Sequence, residues 1–174
     1  MAFNLNLKFG PKWENVSNIR NFITDMLSAG IMDTSDAKKV ATASSELVEN
    51  VVKYSAVGGA IIDLKKDPGT GKISLTIKNV ADQKRIATFK SIYSQIIEGD
   101  PKEIYKKMML KSFNDPDNSQ LGLARIRYEC QGDITYTEEN DTNSIIAMSD
   151  AEPDNRNLRL LSVTVEIPVT LLDQ

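Results

Sequence analysis

The sequence contains no histidine and a single cysteine, Cys130. The first absence removes the commonest metal ligand and the commonest general base. It excludes a Ser–His–Asp hydrolase, a zinc enzyme and phosphohistidine chemistry within this chain. The lone thiol cannot form an internal disulfide, and the start, MAFNLNLKFGPKW, lacks the continuous apolar core of an export signal. Together these point to the cytoplasm. No apolar stretch approaches the roughly 20 residues needed to span a bilayer, so no membrane partner is expected. Charge is short of any one sign as well: the net value is −3, without long runs. A chain that tracks a nucleic-acid backbone should be more basic, so no nucleic-acid partner is expected either. Any catalysis must run on carboxylates, amides, lysines, hydroxyls or a metal held by oxygen.

What is present reads as one globular domain over residues 1–174, with 41% hydrophobic and 26% charged residues. Alternation places a strand over 3–9, with Phe3, Leu5, Leu7 and Phe9 on one face. Helical spacing follows at Val16, Ile19, Ile23, Met26 and Leu27, closed by Gly30. A second helix covers about 35–55, opened by Asp33, Thr34 or Ser35. Its apolar stripe is Ala37, Val40, Ser44, Leu47, Val48 and Val51. Ala60–Lys65 and Lys72–Lys78 form a hairpin around the turn cluster Asp67-Pro68-Gly69-Thr70-Gly71. That cluster lacks the spacing of a phosphate loop. Helices are expected over 84–98 and, with Asp100 as cap and Pro101 in the first turn, to about 112. A short helix at Leu121–Tyr128 precedes strands near 132–137, 143–149 and 158–169. The order implies an α+β fold, a two-layer α/β sandwich with helices on one face of a mainly antiparallel mixed sheet.

Glu46, Asn50 and Lys53 stand at i, i+4 and i+7 of the second helix, on one edge away from the apolar stripe. An amide oxygen suits Mg²⁺, a carboxylate can accept a proton, and an ammonium can approach phosphate. On the helix alone, a solvated polar face is the plainer reading.

The run Ser44-Ser45-Glu46-Leu47-Val48-Glu49-Asn50-Val51-Val52-Lys53-Tyr54-Ser55 resembles the N box of GHKL (Bergerat-fold) ATPases. The form is that of the anti-sigma-factor serine/threonine kinase branch. Asn118-Ser119-Gln120-Leu121-Gly122-Leu123-Ala124-Arg125-Ile126 resembles the second glycine box of that family. Asn79 stands where the family has the adenine-reading Asp, and the glycines of the first box are missing. Asp82, three residues later, is the weaker substitute. The stretch from Asn79 to Leu123, with Ile104-Tyr105-Lys106-Lys107-Met108, is similar to the SiaB-type subset, in which two helices replace the glycine-rich lid.

The resemblance implies ATP and Mg²⁺ as cofactors, with Glu46 as general base and Asn50 as metal ligand. Lys53, Asn79, Leu121, Gly122 and Leu123 would line the nucleotide. It implies a serine/threonine protein kinase acting on a STAS-like partner, with homodimerisation common in the branch. The alternative is a nucleotide-dead or weakly binding module that holds a sigma factor or STAS-like protein without catalysis. A stand-alone ATP-hydrolysing switch would need the absent lid glycines. Elsewhere, Cys130 reads as a buried bystander, Trp13 as a core or edge anchor and Met108-Met109 as helix packing. Arg125 and Arg127 face phosphate, a partner or solvent.

Overall fold

The structure is a computed structural model that describes residues 3–66, 70–114, 120–146 and 158–170, with only the backbone at 144 and 146. Strand β1 (Asn4–Phe9) leads into helices α1 (Trp13–Ser28) and α2 (Thr34–Tyr54). The hairpin β2 (Ala60–Lys66) and β3 (Lys72–Asp82) follows, then helices α3 (Gln83–Ile97), α4 (Pro101–Asn114) and α5 (Leu121–Glu129). Strand β4 (Asp133–Glu139), the one-turn helix α6 (Asn143–Ile146) and strand β5 (Leu158–Pro168) complete the order.

The strands form one sheet in the order β1-β2-β3-β5-β4. The expectation of a mixed sheet needs correcting: every pairing among the described residues is antiparallel. Period-two alternation divides β3 cleanly. Ile73, Leu75, Ile77 and Asn79 are buried toward the helical layer, whereas Thr76 and Lys78 face the other side. Helix α2 lies on that inner face and buries its whole expected stripe, including Val40, Leu47, Val48 and Val51. Helix α1 packs Ile19, Ile23 and Leu27, four residues apart, against α2.

Local chemistry sets several boundaries. Asp33 is the cap of α2, its side chain accepting from the Asp36 N–H at 2.9 Å. Asp100 accepts from the Glu103 N–H at 3.0 Å, as its position before Pro101 suggested. Asp82 caps α3, accepting from the Arg85 N–H at 2.8 Å and pairing with the Arg85 guanidinium.

The strand expected near 143–149 is not formed where the structure describes it. Asp141 accepts from the Asn143 N–H at 3.1 Å and starts a helical turn. Ile145 is thereby buried with Ile61, Val80 and Leu160 on the outer face of the sheet. Burial of one isoleucine over that end of the sheet outweighs the β preference of the run. Residues 147–149, like 67–69 of the hairpin turn, lie outside the described residues.

Asp36 ties Thr170, just beyond β5, to the start of α2. Its carboxylate receives the Lys39 ammonium at 2.7 Å and the Thr170 N–H at 2.6 Å. Burial pushes its pKa up, but these donors outweigh it and hold the group below its ordinary 3.8. A depressed acid stabilises the fold above its unfolded pKa, and that contribution is lost as pH falls through the folded value. Urea midpoints compared between about pH 6 and about pH 3 should therefore fall further for the wild type than for Asp36→Asn. Equal acid losses in the two proteins would show that Asp36 adds nothing.

Candidate functional site

Helix α2 carries Asn50 and Tyr54 to the mouth of the inner face, and β3 carries Asn79 beside them. Together with Leu47, Ile77, Phe89 and Leu161 they line a pocket of about 390 Å³, its open mouth included. Its walls are apolar apart from the two amides, the Tyr54 hydroxyl and Arg85 at the rim. Asn79 is buried, and neither its amide nor that of Asn50 has a hydrogen-bond partner among the described residues. Apolar walls with a few convergent polar groups are the usual make-up of a small-molecule site.

A second hollow of about 310 Å³ shares Asn50, Tyr54 and Phe89 and adds Ile92, Gln120 and Leu123. It leads from the amides to the start of α5. Gln120, the residue before that helix, gives it no side-chain cap. Among the described residues, no side chain caps the first-turn N–H groups at the positive end of α5. Leu121 and Gly122 are half-buried in that turn and Leu123 is buried.

Gly122 leaves room for the Glu46 carboxylate. A Cβ at this position would stand 2.6 Å from Glu46 Oε2. The same α5 turn brings Arg125, whose Nη1 donates to Glu46 Oε1 at 2.5 Å. Glu46 is only 8% exposed, which differs from the solvated edge that helical spacing suggested. The reason lies in the contact of α5 with α2, through Leu123, Ala124 and Ile126, which lays α5 over the Glu46 carboxylate. Burial raises the Glu46 pKa above its ordinary 4.5, and the Arg125 charge and hydrogen bond oppose that rise.

The network reaches α4. Arg125 Nε lies 3.7 Å from Glu129 Oε2, and the Tyr105 hydroxyl donates to Glu129 Oε1 at 2.6 Å. Tyr105 and Tyr128 pack with ring centroids 5.2 Å apart.

The expected residues therefore separate into groups. Asn50 and Asn79 share one pocket, Gly122 and Glu46 touch, and Leu123 joins the two regions. Lys53 is set apart on the outer edge of α2, 3.6 Å from Glu49 and 5.8 Å from the Trp13 ring centroid. Trp13 itself is 57% exposed at the first turn of α1, outside the core. Met108 is buried and Met109 exposed. Cys130 is buried, and its thiol is pushed up to about 12, chiefly by burial, which suits an inert thiol. Arg127 donates to the Ile96 carbonyl and so ties α5 to α3. Arg125 is the residue that sequence reasoning left unplaced. Its position three after Gly122, on the same side of α5, was the available signal.

Neither a family model nor a curated protein matches the sequence. The fold is similar to that of a chain in the crystal structure of the SiaB–SiaC complex from Pseudomonas aeruginosa. The TM-score is 0.64 over 96% of this chain and 89% of that chain, at 15% identity. At that identity the likeness concerns the fold. Among the described residues no helix is long and apolar enough to cross a membrane.

Proposed function

We propose that this chain is an ATP- and Mg²⁺-dependent serine/threonine protein kinase acting on a small STAS-like regulatory protein. The observation that carries the reading is a pair of hollows that share Asn50, Tyr54 and Phe89: one holds the Asn79 and Asn50 amides, unpartnered among the described residues, and the other is bordered by Gln120 and Leu123 at the start of α5. Asn79 can both accept from and donate to an adenine edge. The α5 N-terminus and the Gly122 turn suit phosphate, and Asn50 Oδ1 is a hard oxygen of the kind Mg²⁺ accepts. The metal, when bound, would supply charge neutralisation on the triphosphate. Glu46 would take the proton of a seryl or threonyl hydroxyl. That oxygen bonds to the γ-phosphorus as the bond to the β–γ bridging oxygen breaks and ADP departs. The choice of partner rests on the N-box resemblance and on a fold shared with a chain of a two-protein complex.

One observation favours a second reading, a regulatory module that binds nucleotide weakly and holds its partner without phosphorylating it. Glu46 is paired with the Arg125 guanidinium, which holds Oε1 at 2.5 Å and, by favouring the ionised carboxylate, weakens it as a proton acceptor.

Calorimetric titration of ATP and ADP, with and without Mg²⁺, tests the reading. Micromolar binding that needs Mg²⁺ is expected. Asn50→Asp should weaken it at least about tenfold, equal to about 1.4 kcal/mol. No binding at millimolar nucleotide would remove the kinase and leave a scaffold working through protein contacts.

A further inference from the structure

A carboxylate has two oxygens, and those of Glu46 stand in different surroundings. Oε1 receives the Arg125 Nη1 donor at 2.5 Å. Oε2 has no hydrogen-bond partner among the described residues. It is not sealed from solvent either, since the buried side-chain atom left unsatisfied among those residues is Ser28 Oγ. The space beside Oε2 is kept by the missing side chain of Gly122, whose Cβ would stand 2.6 Å away. Gly122 adjoins Leu123, which lines the hollow shared with Asn50. Arg125 has its own support: Nε lies 3.7 Å from Glu129 Oε2, and Glu129 Oε1 accepts from the Tyr105 hydroxyl at 2.6 Å. A paired carboxylate is the weaker base. Phosphoryl transfer asks less of base strength than of placement, because its transition state is loose and catalysis is mostly positioning and charge stabilisation. A carboxylate gripped by one oxygen presents the other in a fixed direction.

We propose that Arg125 is a positioning residue that takes up Oε1 and presents Oε2 as the oxygen that accepts the substrate proton. Oε2 receives the proton of the seryl or threonyl hydroxyl. The hydroxyl oxygen bonds to the γ-phosphorus as the bond from that phosphorus to the departing ADP oxygen breaks. Glu129 and Tyr105 orient Arg125 and do not touch the reacting atoms. The proposal rests on the reading of Glu46 as the base of a kinase, but the grip on Oε1 can be measured without nucleotide.

The first arm uses nitrogen NMR of the arginine side chains in the nucleotide-free full chain. A guanidinium held by a carboxylate rotates slowly about its C–N bonds. The Arg125 signals should show slow rotation in the wild type and fast rotation in Glu46→Gln. Fast rotation in the wild type would overturn the proposal. The second arm measures single-turnover transfer from Mg²⁺–ATP to the partner. Arg125→Ala should slow transfer by about 10- to 100-fold, the scale of a misplaced reacting group, with ATP affinity within about twofold. Arg125 is half-buried, so a small cation can reach the space it leaves. Added guanidinium should restore transfer severalfold, neutral urea at the same concentration should not, and neither should rescue the variant that also carries Glu46→Gln. Unchanged or faster transfer in Arg125→Ala would overturn the proposal and leave the kinase reading intact. A loss that guanidinium does not mend would overturn it too, because Arg125 would then serve only the fold. Slow guanidinium rotation in a chain that binds no ATP would overturn the kinase reading and, with it, the role given to Oε2, leaving the pair as a structural tie between α2 and α5.

Discussion

Replacing Glu46 by Gln is expected to slow phosphoryl transfer to a partner by about 10²- to 10⁴-fold, the usual worth of a positioned base. Affinity for ATP should stay within about twofold, because under the proposed function the nucleotide would be gripped elsewhere, by Asn79, Asn50 and the first turn of α5. The glutamine keeps the volume of a side chain that is 8% exposed, so the fold should persist. A single-turnover assay with γ-labelled ATP separates the two effects. Near-wild transfer by this variant would remove Glu46 from the chemistry. The acid limb of the wild-type rate carries a second signature. Burial holds the Glu46 carboxyl above 4.5, so the base form is lost on acidification earlier than for a solvated glutamate. The Glu46→Gln residual rate should lack that limb.

Gly132→Ala is expected to destabilise the fold by about 1–3 kcal/mol, the range for overpacking a filled interior. A Cβ there would stand 2.6 Å from Val165 Cγ1 and 3.0 Å from Ile126 Cγ2. Both neighbours are fully buried, one on β5 and one on α5, so neither can simply rotate into solvent. The Gly132 N–H also donates to the Ile126 carbonyl at 3.1 Å, which fixes the backbone where α5 turns into β4. Against a total of about 5–15 kcal/mol for an ordinary domain, the loss is large enough to read from urea midpoints. An unchanged midpoint would mean that α5 can slide on the sheet. In that case Arg125 could not be held on Glu46 as described.

Much of this architecture was legible because it is local. The α2 stripe, the α3 spacing through Ile86, Ile92 and Ile96, and the Asp100 cap each depend on residues within a few positions of one another. The two amides of the pocket were also legible, through the likeness of their flanking runs to known boxes. The surroundings of Glu46 were not. Arg125 is 79 residues away, and no periodicity of α2 records that another helix will cover one edge. The same applies to α6, where the tertiary demand for an isoleucine over Val80 decides against a strand. Lys53 shows the converse error of extrapolating a helical face: it shares an edge with Asn50 on paper, but its ammonium lies toward Glu49 and Trp13.

That last contact gives the molecule an optical handle. Trp13 is the only tryptophan in the sequence, and it stands on α1 with the Lys53 ammonium 5.8 Å from its ring centroid. An indole emits according to the charge and water near its ring. Lys53 lies one helical turn beyond Asn50, with Asn50 at the pocket wall and Lys53 beside the fluorophore. Intrinsic emission of the unlabelled chain therefore views the last turn of α2 from outside while the inner side of that turn faces the pocket.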